Sequence, residues 1–406
     1  MTMTLSDELS WRGFINQTTL DDITVLDTQP MSFYIGIDPS ADSMTIGNLV
    51  PCMLVKHLIN NGHKAYLLVG GATGMIGDPD GKKDERSLKS VDEIERNKNA
   101  IVDQYKRVFD GKPFEIVDNY DWFSKINYLS FLRDVGKYVP LSNMLGRDFV
   151  QSRLGEGGSG ISYAEFSYSL IQGYDFLHLF REYGVSLQVC GGDQWGNCIA
   201  GVDMIRRIES QETHVLSAPL IVNKATGVKF GKTEDGAVWL DENKTSVYKF
   251  YQFWLNADDE SVEEYLKIYT MIDQQSLDEV VTSHKQSPEA RKAQKTLAKL
   301  VTTIVHGEEK ARQAEDVTRV LFGELSVSDM SDDDLELLSH EIPTAHTGDS
   351  VINLLESSGL TSSRGDARRM ILGGAISVNG EKISEDRIIE NKSLIKKGKN
   401  SFLLVK

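Results

Sequence analysis

Two strand-like runs with one apolar helix-like run between them constrain this chain most. "SFYIGI" (residues 32–37) is rich in β-formers and reads as a buried strand. From about Ile46 to Ile59 apolar residues recur with helical spacing. "KAYLLVGG", Lys64 to Gly71, is a second strand. A β-α-β opening points to a parallel sheet with helices packed on it. Pro51 fits the helix if it lies in the first turn, where its missing N–H has no intrahelical partner.

Further on, "VSLQVCGG", Val185 to Gly192, is another strand, ending in glycines. "YLSFLRDVGKYV" and "SYAEFSYSLIQGYDFLHLFREYG" carry helical spacing. From about Ser246 to Gly323 the pattern is helical and amphipathic. Residues 321–345 hold seven acids and no Lys or Arg, and read as a solvated linker or a small acidic helix. Order resumes after it, so a domain boundary is expected within 321–347.

The chain has 406 residues, enough for about two or three domains. A hydrophobic content of 40% and a charged content of 26% are ordinary for a globular protein. No apolar run approaches the ~20 residues of a membrane span. "MTMTLSDELSWRGF" has no basic stretch followed by an apolar one, so no signal peptide is expected and the cytoplasm is the expected location. Cys52, Cys190 and Cys198 show no C-x-x-C spacing; buried reduced thiols are expected, and no zinc. The net charge of −16 argues against nucleic-acid binding by the chain as a whole. The tail differs: from His346 to Lys406 ten basic residues face seven acids, a net of +3.

Four short constellations carry chemistry. After the first strand come Gly36, Asp38 and Ser40, then Thr45-Ile46-Gly47-Asn48 opening a helix. Glycine admits a ligand close to the backbone, and free N–H groups at a helix start attract phosphate. The glycine-rich "GGATGMIGDPDGKK" is not a Walker A loop, and no G-x-G-x-x-G follows a strand. In "EFSYSLIQGYD", Tyr168, Gln172 and Asp175 fall at i, i+4 and i+7 and share one helix face, with Phe166, Leu170 and Ile171 away from it. A phenol, an amide and a carboxylate in line suggest a polar pocket with a charged end. "GGDQWGN", Gly191 to Asn197, follows a strand's carboxyl end, where ligands sit in parallel sheets. "KFGKT" sets Lys229 and Lys232 around a glycine, with Thr233 after them, and two lysines on a loop can neutralise a triphosphate.

In this order the four pieces resemble the bacterial tyrosyl-tRNA synthetases, a family of class I aminoacyl-tRNA synthetases. "YIGIDPSADS", "LVGGATGMIGDPDGKK", "NYDWF", "FLRDVGKY", "EFSYSLIQGYDF", "GGDQWGN", "KFGKT" and "YKFYQFWLN" carry the resemblance, which runs from "ELSWRGFINQ" to the chain's end. It implies an α/β fold: a Rossmann-like parallel-sheet catalytic domain (1–228), the KFGKT loop and a helical anticodon-binding domain (229–322), an acidic linker (323–345) and a small α+β S4-like RNA-binding domain (346–406). The implied reaction activates L-tyrosine with ATP and transfers the tyrosyl group to the 3′ end of its tRNA. Magnesium comes with the ATP, and a homodimer is expected. In this sequence the dimer rests on the apolar run from Phe131 to Val139.

The resemblance also implies residue roles. The substrate phenol would meet Tyr34 and Asp175, and its ammonium Tyr168, Gln172 and Asp78. Gln194 would serve the tyrosine and line the adenylate. Gly36, Asp38, Ser40, Gly47, Gly192, Asp193 and Lys232 would hold ATP; Thr45, Asn48, Lys82, Lys229, Lys232 and Thr233 would assist the chemistry. Arg364, Arg368, Arg369 and Lys382 would bind RNA. One position departs from the family pattern. Histidine is usual where Thr45 stands, and a hydroxyl is shorter and cannot become cationic. If residue 45 reaches the leaving phosphates, Thr45→His is expected to raise pyrophosphate exchange. A tryptophan-specific relative and a non-catalytic RNA-binding relative are the rival readings; Tyr34 with Asp175 favours a phenol.

Overall fold

The computed structural model describes residues 3–79, 89–146, 148–155, 158–222, 230–233, 236–398 and 401–406. They form two compact units: 1–245 with 257–293, and 246–256 with 294–406.

In the first unit, α1 (Leu5–Arg12) precedes a six-stranded sheet. Its strands are β1 (Gln17–Thr18), β2 (Ser32–Ile37), β3 (Lys64–Val69), β4 (Glu115–Asp118), β5 (Leu187–Gly191) and β6 (His214–Ala218). The order is β1-β6-β5-β2-β3-β4; β1 runs antiparallel and the other five are parallel. The two expected strands pair in register from Ser32 with Lys64 to Ile37 with Val69. Phe33, Tyr34 and Ile35 of β2 and Ala65 to Val69 of β3 lie buried, as near-continuous runs do in a sheet covered on both faces. The order reverses between β2 and β5, so the loops beyond these strand ends part and leave a crevice.

The crossover helices are α2 (Ile46–Asn60), α3 (Val91–Phe109), α4 (Tyr163–Tyr183) and α5 (Trp195–Glu209). Pro51 is the sixth residue of α2, beyond the first turn. Its missing N–H therefore withdraws a bond from the Gly47 carbonyl, and the helix survives on its packing: Leu49, Met53, Leu54 and Leu58 are fully buried. α4 begins with a capping box, Ser162 with Glu165. Glu165 is also gripped by Arg153 at 2.8 and 2.9 Å, both side chains buried.

The amphipathic stretch after Ser246 is shared between the units. Val262–Tyr269 and Gln274–Gln286 belong to the first, Val247–Leu255 and Glu308–Leu321 to the second. The acidic stretch folds into a helix, Asp332–Glu341. Its acids crowd the first turn, where the helix dipole favours them, and Leu335 and Leu338 join a core with Val317, Leu394 and Leu404. Of the two readings, the small acidic helix is the one present, and it packs through these leucines.

The second unit ends in a five-stranded sheet: β9 (Thr344–Ala345), β10 (Ile376–Val378), β11 (Glu381–Lys382), β12 (Ser393–Lys397) and β13 (Ser401–Val405), ordered β11-β10-β12-β13-β9. Asn379 and Gly380, at φ 51° and 85°, make the β10–β11 turn, a pairing that suits tight hairpins. Helices Val351–Ser357 and Arg364–Leu372 pack on this sheet through Val351, Leu355, Ala367 and Ile371. No helix among the described residues is long and apolar enough to cross a membrane. In the Phe131–Val139 run, Phe131 and Val139 pack against the first unit's core, whereas the neighbouring Leu129 is exposed.

α1 is locked to the first unit by Arg12, which donates to the carbonyls of Lys267, Thr270 and Ile272 at 2.9, 3.0 and 2.7 Å. His57, near the end of α2, is buried with Glu8 Oε1 3.5 Å from its Nδ1. Burial, with Arg12 and Lys56 nearby, pushes its imidazole down to about 3. The native state thus keeps His57 neutral while the unfolded chain takes up a proton below about 6.5. Stability falls as the pH drops through that window. Between about pH 7.5 and pH 5 the wild type should lose about 2 kcal/mol that His57→Gln keeps. Denaturant titrations at the two pH values check this; equal losses in both proteins would contradict it.

Candidate active site

A cavity of about 280 Å³ opens at the carboxyl ends of β2 and β5, where the strand order reverses. β2 and its following turn supply Tyr34, Gly36, Asp38 and Ser40; the start of α2 supplies Thr45, Gly47 and Asn48. Asp78 lines it, as do Tyr168, Gln172 and Asp175 on α4, and Asp193 and Gln194 beyond β5. The i, i+4, i+7 stripe of α4 therefore faces one space, and residues as far apart in sequence as Tyr34 and Gln194 converge there because parallel strands end on one edge of the sheet.

At the closed end Tyr34 is 1% exposed. Its hydroxyl reaches no hydrogen-bond partner among the described residues. Burial, then Cys198 and Asp175, push its phenol well up, so it stays protonated and able to donate. Asp175 is also 1% exposed. Its Oδ1 accepts from Trp122 Nε1 at 2.9 Å and its Oδ2 from Asn119 Nδ2 at 3.0 Å. Burial pushes this carboxyl well up, while the two donors act in the opposite direction. Asn119 is held in turn: it donates to Thr73 Oγ1 at 3.0 Å and accepts from the Ala72 N–H at 2.7 Å. Trp122 stacks on His178 with centroids 4.3 Å apart.

The other end is polar. Tyr168 donates to Asp38 Oδ2 at 2.7 Å. Gln194 donates to Asp78 Oδ2 at 2.7 Å and accepts from Asn197 at 3.0 Å. Gln172 turns its Nε2 toward Cys198 Sγ at 3.9 Å, and its buried Oε1 has no partner among the described residues. Gly70 explains part of the glycine-rich run: a Cβ there would clash with Thr73 Oγ1 and lie 2.7 Å from Asp38 Oδ1. That glycine makes room for these two side chains.

The turn from Pro39 to Thr45 is braced from behind by α3. Asn97 donates to the Pro39 carbonyl at 2.9 Å. Buried Gln104 accepts from the Met44 N–H at 2.7 Å and donates to Ser43 Oγ at 2.8 Å. Residues 238–240 hold it from the side: Ile46 N–H donates to the Val238 carbonyl at 3.1 Å and Leu240 N–H to the Met44 carbonyl at 2.9 Å. These residues continue from the short hairpin β7 (Lys232–Thr233) with β8 (Gly236–Ala237). Gly231 backs directly onto Ile46, so the KFGKT segment meets the start of α2.

Of the sequence candidates, Lys82 and Lys229 lie outside the described residues, and Lys232 and Thr233 are described by their backbone pairing only. Gly192 does not line the cavity; a Cβ there would meet Asn16 Nδ2 at 2.9 Å, so it serves packing. Asn119, Trp122 and Gln104 were missed as site residues. "NYDWF" carried the first two in plain view, but nothing in a sequence says which distant carboxylate they serve.

The RNA candidates lie in the second unit. Arg364 reaches Asn353 Oδ1 and stands 3.7 Å from Glu356 Oε2; Arg369 lies 3.4 Å from Asp366 Oδ1. Arg368 and Lys382 are exposed, Arg368 on the helix and Lys382 on the hairpin.

Comparison with known proteins agrees with this arrangement. Residues 26–323 match the family model "tRNA synthetases class I (W and Y)", and residues 334–405 match "Tyrosine--tRNA ligase SYY-like C-terminal domain". The chain is 42% identical to Tyrosine--tRNA ligase 2 of Bacillus cereus, covering 100% of this chain and 99% of that one. It is 41% identical to Tyrosine--tRNA ligase of Pediococcus pentosaceus, covering 94% and 93%. A truncated mitochondrial tyrosyl-tRNA synthetase of Aspergillus nidulans superposes with a TM-score of 0.71 at 29% identity, over 79% of this chain and 95% of that one. The sheet order, the cavity at its switch point and both family matches lead to one conclusion: the chain belongs to the class I tRNA synthetases of the tryptophan and tyrosine group, with the C-terminal domain of the tyrosine branch.

Proposed function

We infer that this chain activates L-tyrosine with ATP to tyrosyl-adenylate and pyrophosphate, then transfers the tyrosyl group to the 3′ end of a tRNA for translation. The observation that carries the reading is the pair at the closed end: an orphaned Tyr34 hydroxyl beside an Asp175 whose oxygens are both aimed by protein donors. A phenol both donates and accepts, so it can give its proton to Asp175 and accept one from Tyr34. An indole N–H only donates and would leave Tyr34 orphaned. Cytoplasmic action, alongside translation, goes with this function.

With the phenol at that end, the tyrosine ammonium lies toward Tyr168, Gln172, Asp38 and Asp78. The carboxylate then faces the turn that opens α2. The tyrosine carboxylate oxygen attacks the α-phosphorus of ATP; that P–O bond forms as the bond to the pyrophosphate oxygen breaks. The enzyme forms no covalent bond. It contributes position and charge complementarity: the Gly47 N–H at the start of α2, Ser40 and the lysines of "KFGKT" are the groups for the phosphates. Magnesium travels on the ATP, whose phosphate oxygens and water suit a small hard cation.

Tyr34→Phe tests the reading. It removes one hydrogen bond to the substrate, so selection of tyrosine over phenylalanine in the activation step should fall by about 2- to 12-fold. The thermal midpoint should hold or rise, because an unpartnered buried hydroxyl is deleted. An unchanged tyrosine-to-phenylalanine ratio would remove the basis of the assignment.

For the tRNA step, the exposed Arg368 and Lys382 are the groups of the C-terminal module best able to meet RNA phosphate. Charging by Arg368→Ala or Lys382→Ala should show a weaker apparent affinity for tRNA and a salt slope shallower by about 1 per lost contact. Tyrosine-dependent pyrophosphate exchange should stay at the wild-type level. Equal salt slopes in variant and wild type would take these side chains out of the interface.

A further inference from the structure

Thr45 occupies the N-cap of α2, and its backbone N–H lies 2.9 Å from Asn48 Oδ1. A backbone N–H can only donate, so the amide of Asn48 must present its oxygen there, not its nitrogen. The Thr45 hydroxyl lies 3.0 Å from that same oxygen. An amide oxygen can only accept, so the hydroxyl's one proton is committed to it. The Thr45 side chain is then left without a proton for an anion in the cavity. The Asn48 nitrogen, with two N–H groups, is the end of the amide left to donate outward, and both residues line the cavity.

We propose that Thr45 is a positioning residue: it latches the Asn48 amide through Oδ1 so that Asn48 Nδ2, not Thr45, is the side-chain donor that the start of α2 offers to ATP. The proposal rests on the reading of the cavity as an ATP and tyrosine site. The surroundings suit a fixed donor. The backbone before Thr45 is tied to Gln104 through Met44, and the backbone after it to Val238 through Ile46. The latch thus stands on an anchored segment, and only the Asn48 side chain needs orienting. The geometry reverses the sequence-based expectation for histidine at this position. That expectation requires residue 45 to reach the phosphates itself, whereas replacing Thr45 removes one of the two donors that hold Asn48.

A double-mutant cycle over Thr45→Val and Asn48→Ala tests this, read by tyrosine-dependent pyrophosphate exchange. Thr45→Val alone should lower the rate by about 2- to 12-fold, the range of one hydrogen bond. In the Asn48→Ala background it should cost nothing further. Thr45→Ser, which keeps the hydroxyl, should match the wild type, and Thr45→His should bring no gain. Additive losses would overturn the proposal, because a Thr45 that touches phosphate directly costs as much without Asn48 as with it. A gain from Thr45→His would overturn it as well. The same cycle is run on equilibrium binding of α,β-methylene ATP, which needs no turnover. Absence of exchange in the wild type would then count against the proposed function, while coupling or additivity in the binding cycle would still decide the latch.

Discussion

A carboxylate far from water organises this site. Asp175 sits on the buried face of α4, and burial alone would drive it to its neutral form. Two donors oppose that, Asn119 at the end of β4 and Trp122 just beyond it. Each is fixed by something else: Asn119 by Thr73 and the Ala72 N–H, Trp122 by its stack on His178. The pocket for a phenol is therefore set by the spacing of β2, β4 and α4, and a shift in any of them would move an acceptor oxygen. Asp118 extends the support, accepting from the Gly71 and Tyr120 N–H groups and from Lys98. The end of β4 is thus tied to the strand-to-helix turn after β3.

The other half of the site depends on backbone rather than on a buried charge. The turn from Pro39 to Thr45 has no regular ladder to satisfy it. Its polar groups are taken up by Asn97 and Gln104 of α3 and by residues 238–240. These come from distant parts of the chain and converge because the switch point leaves the carboxyl ends of β2 and β5 open. Rigid support for a turn that must meet a triphosphate is what pre-organised electrostatic catalysis requires.

Much of this was legible in the sequence, and the reasons are local. β2, β3 and β5 are short apolar runs bounded by turn residues, and α4 repeats Tyr168, Gln172 and Asp175 at helical spacing, so the face toward the cavity could be read by counting. What could not be read depends on tertiary contacts. Gln104 reads as one more polar residue of an amphipathic helix, and only the fold shows it beneath Met44. Pro51 lies deeper in its helix than local rules favour, and buried packing overrides them. The acids of residues 321–345 left a solvated linker and a small acidic helix both open, and the leucines decide for a packed helix. Thr45 reads as a departure from a family pattern until its hydroxyl is seen to face Asn48.

The account makes this chain a tyrosine-activating enzyme whose phenol pocket and phosphate turn are held by separate supports. The measurement that tests it most directly is exchange of labelled pyrophosphate into ATP by the full chain, with tyrosine, phenylalanine or tryptophan supplied one at a time. The account predicts exchange with tyrosine well above the other two. No tyrosine-dependent exchange from folded protein that still binds tyrosine, or equal exchange with tryptophan, would contradict it.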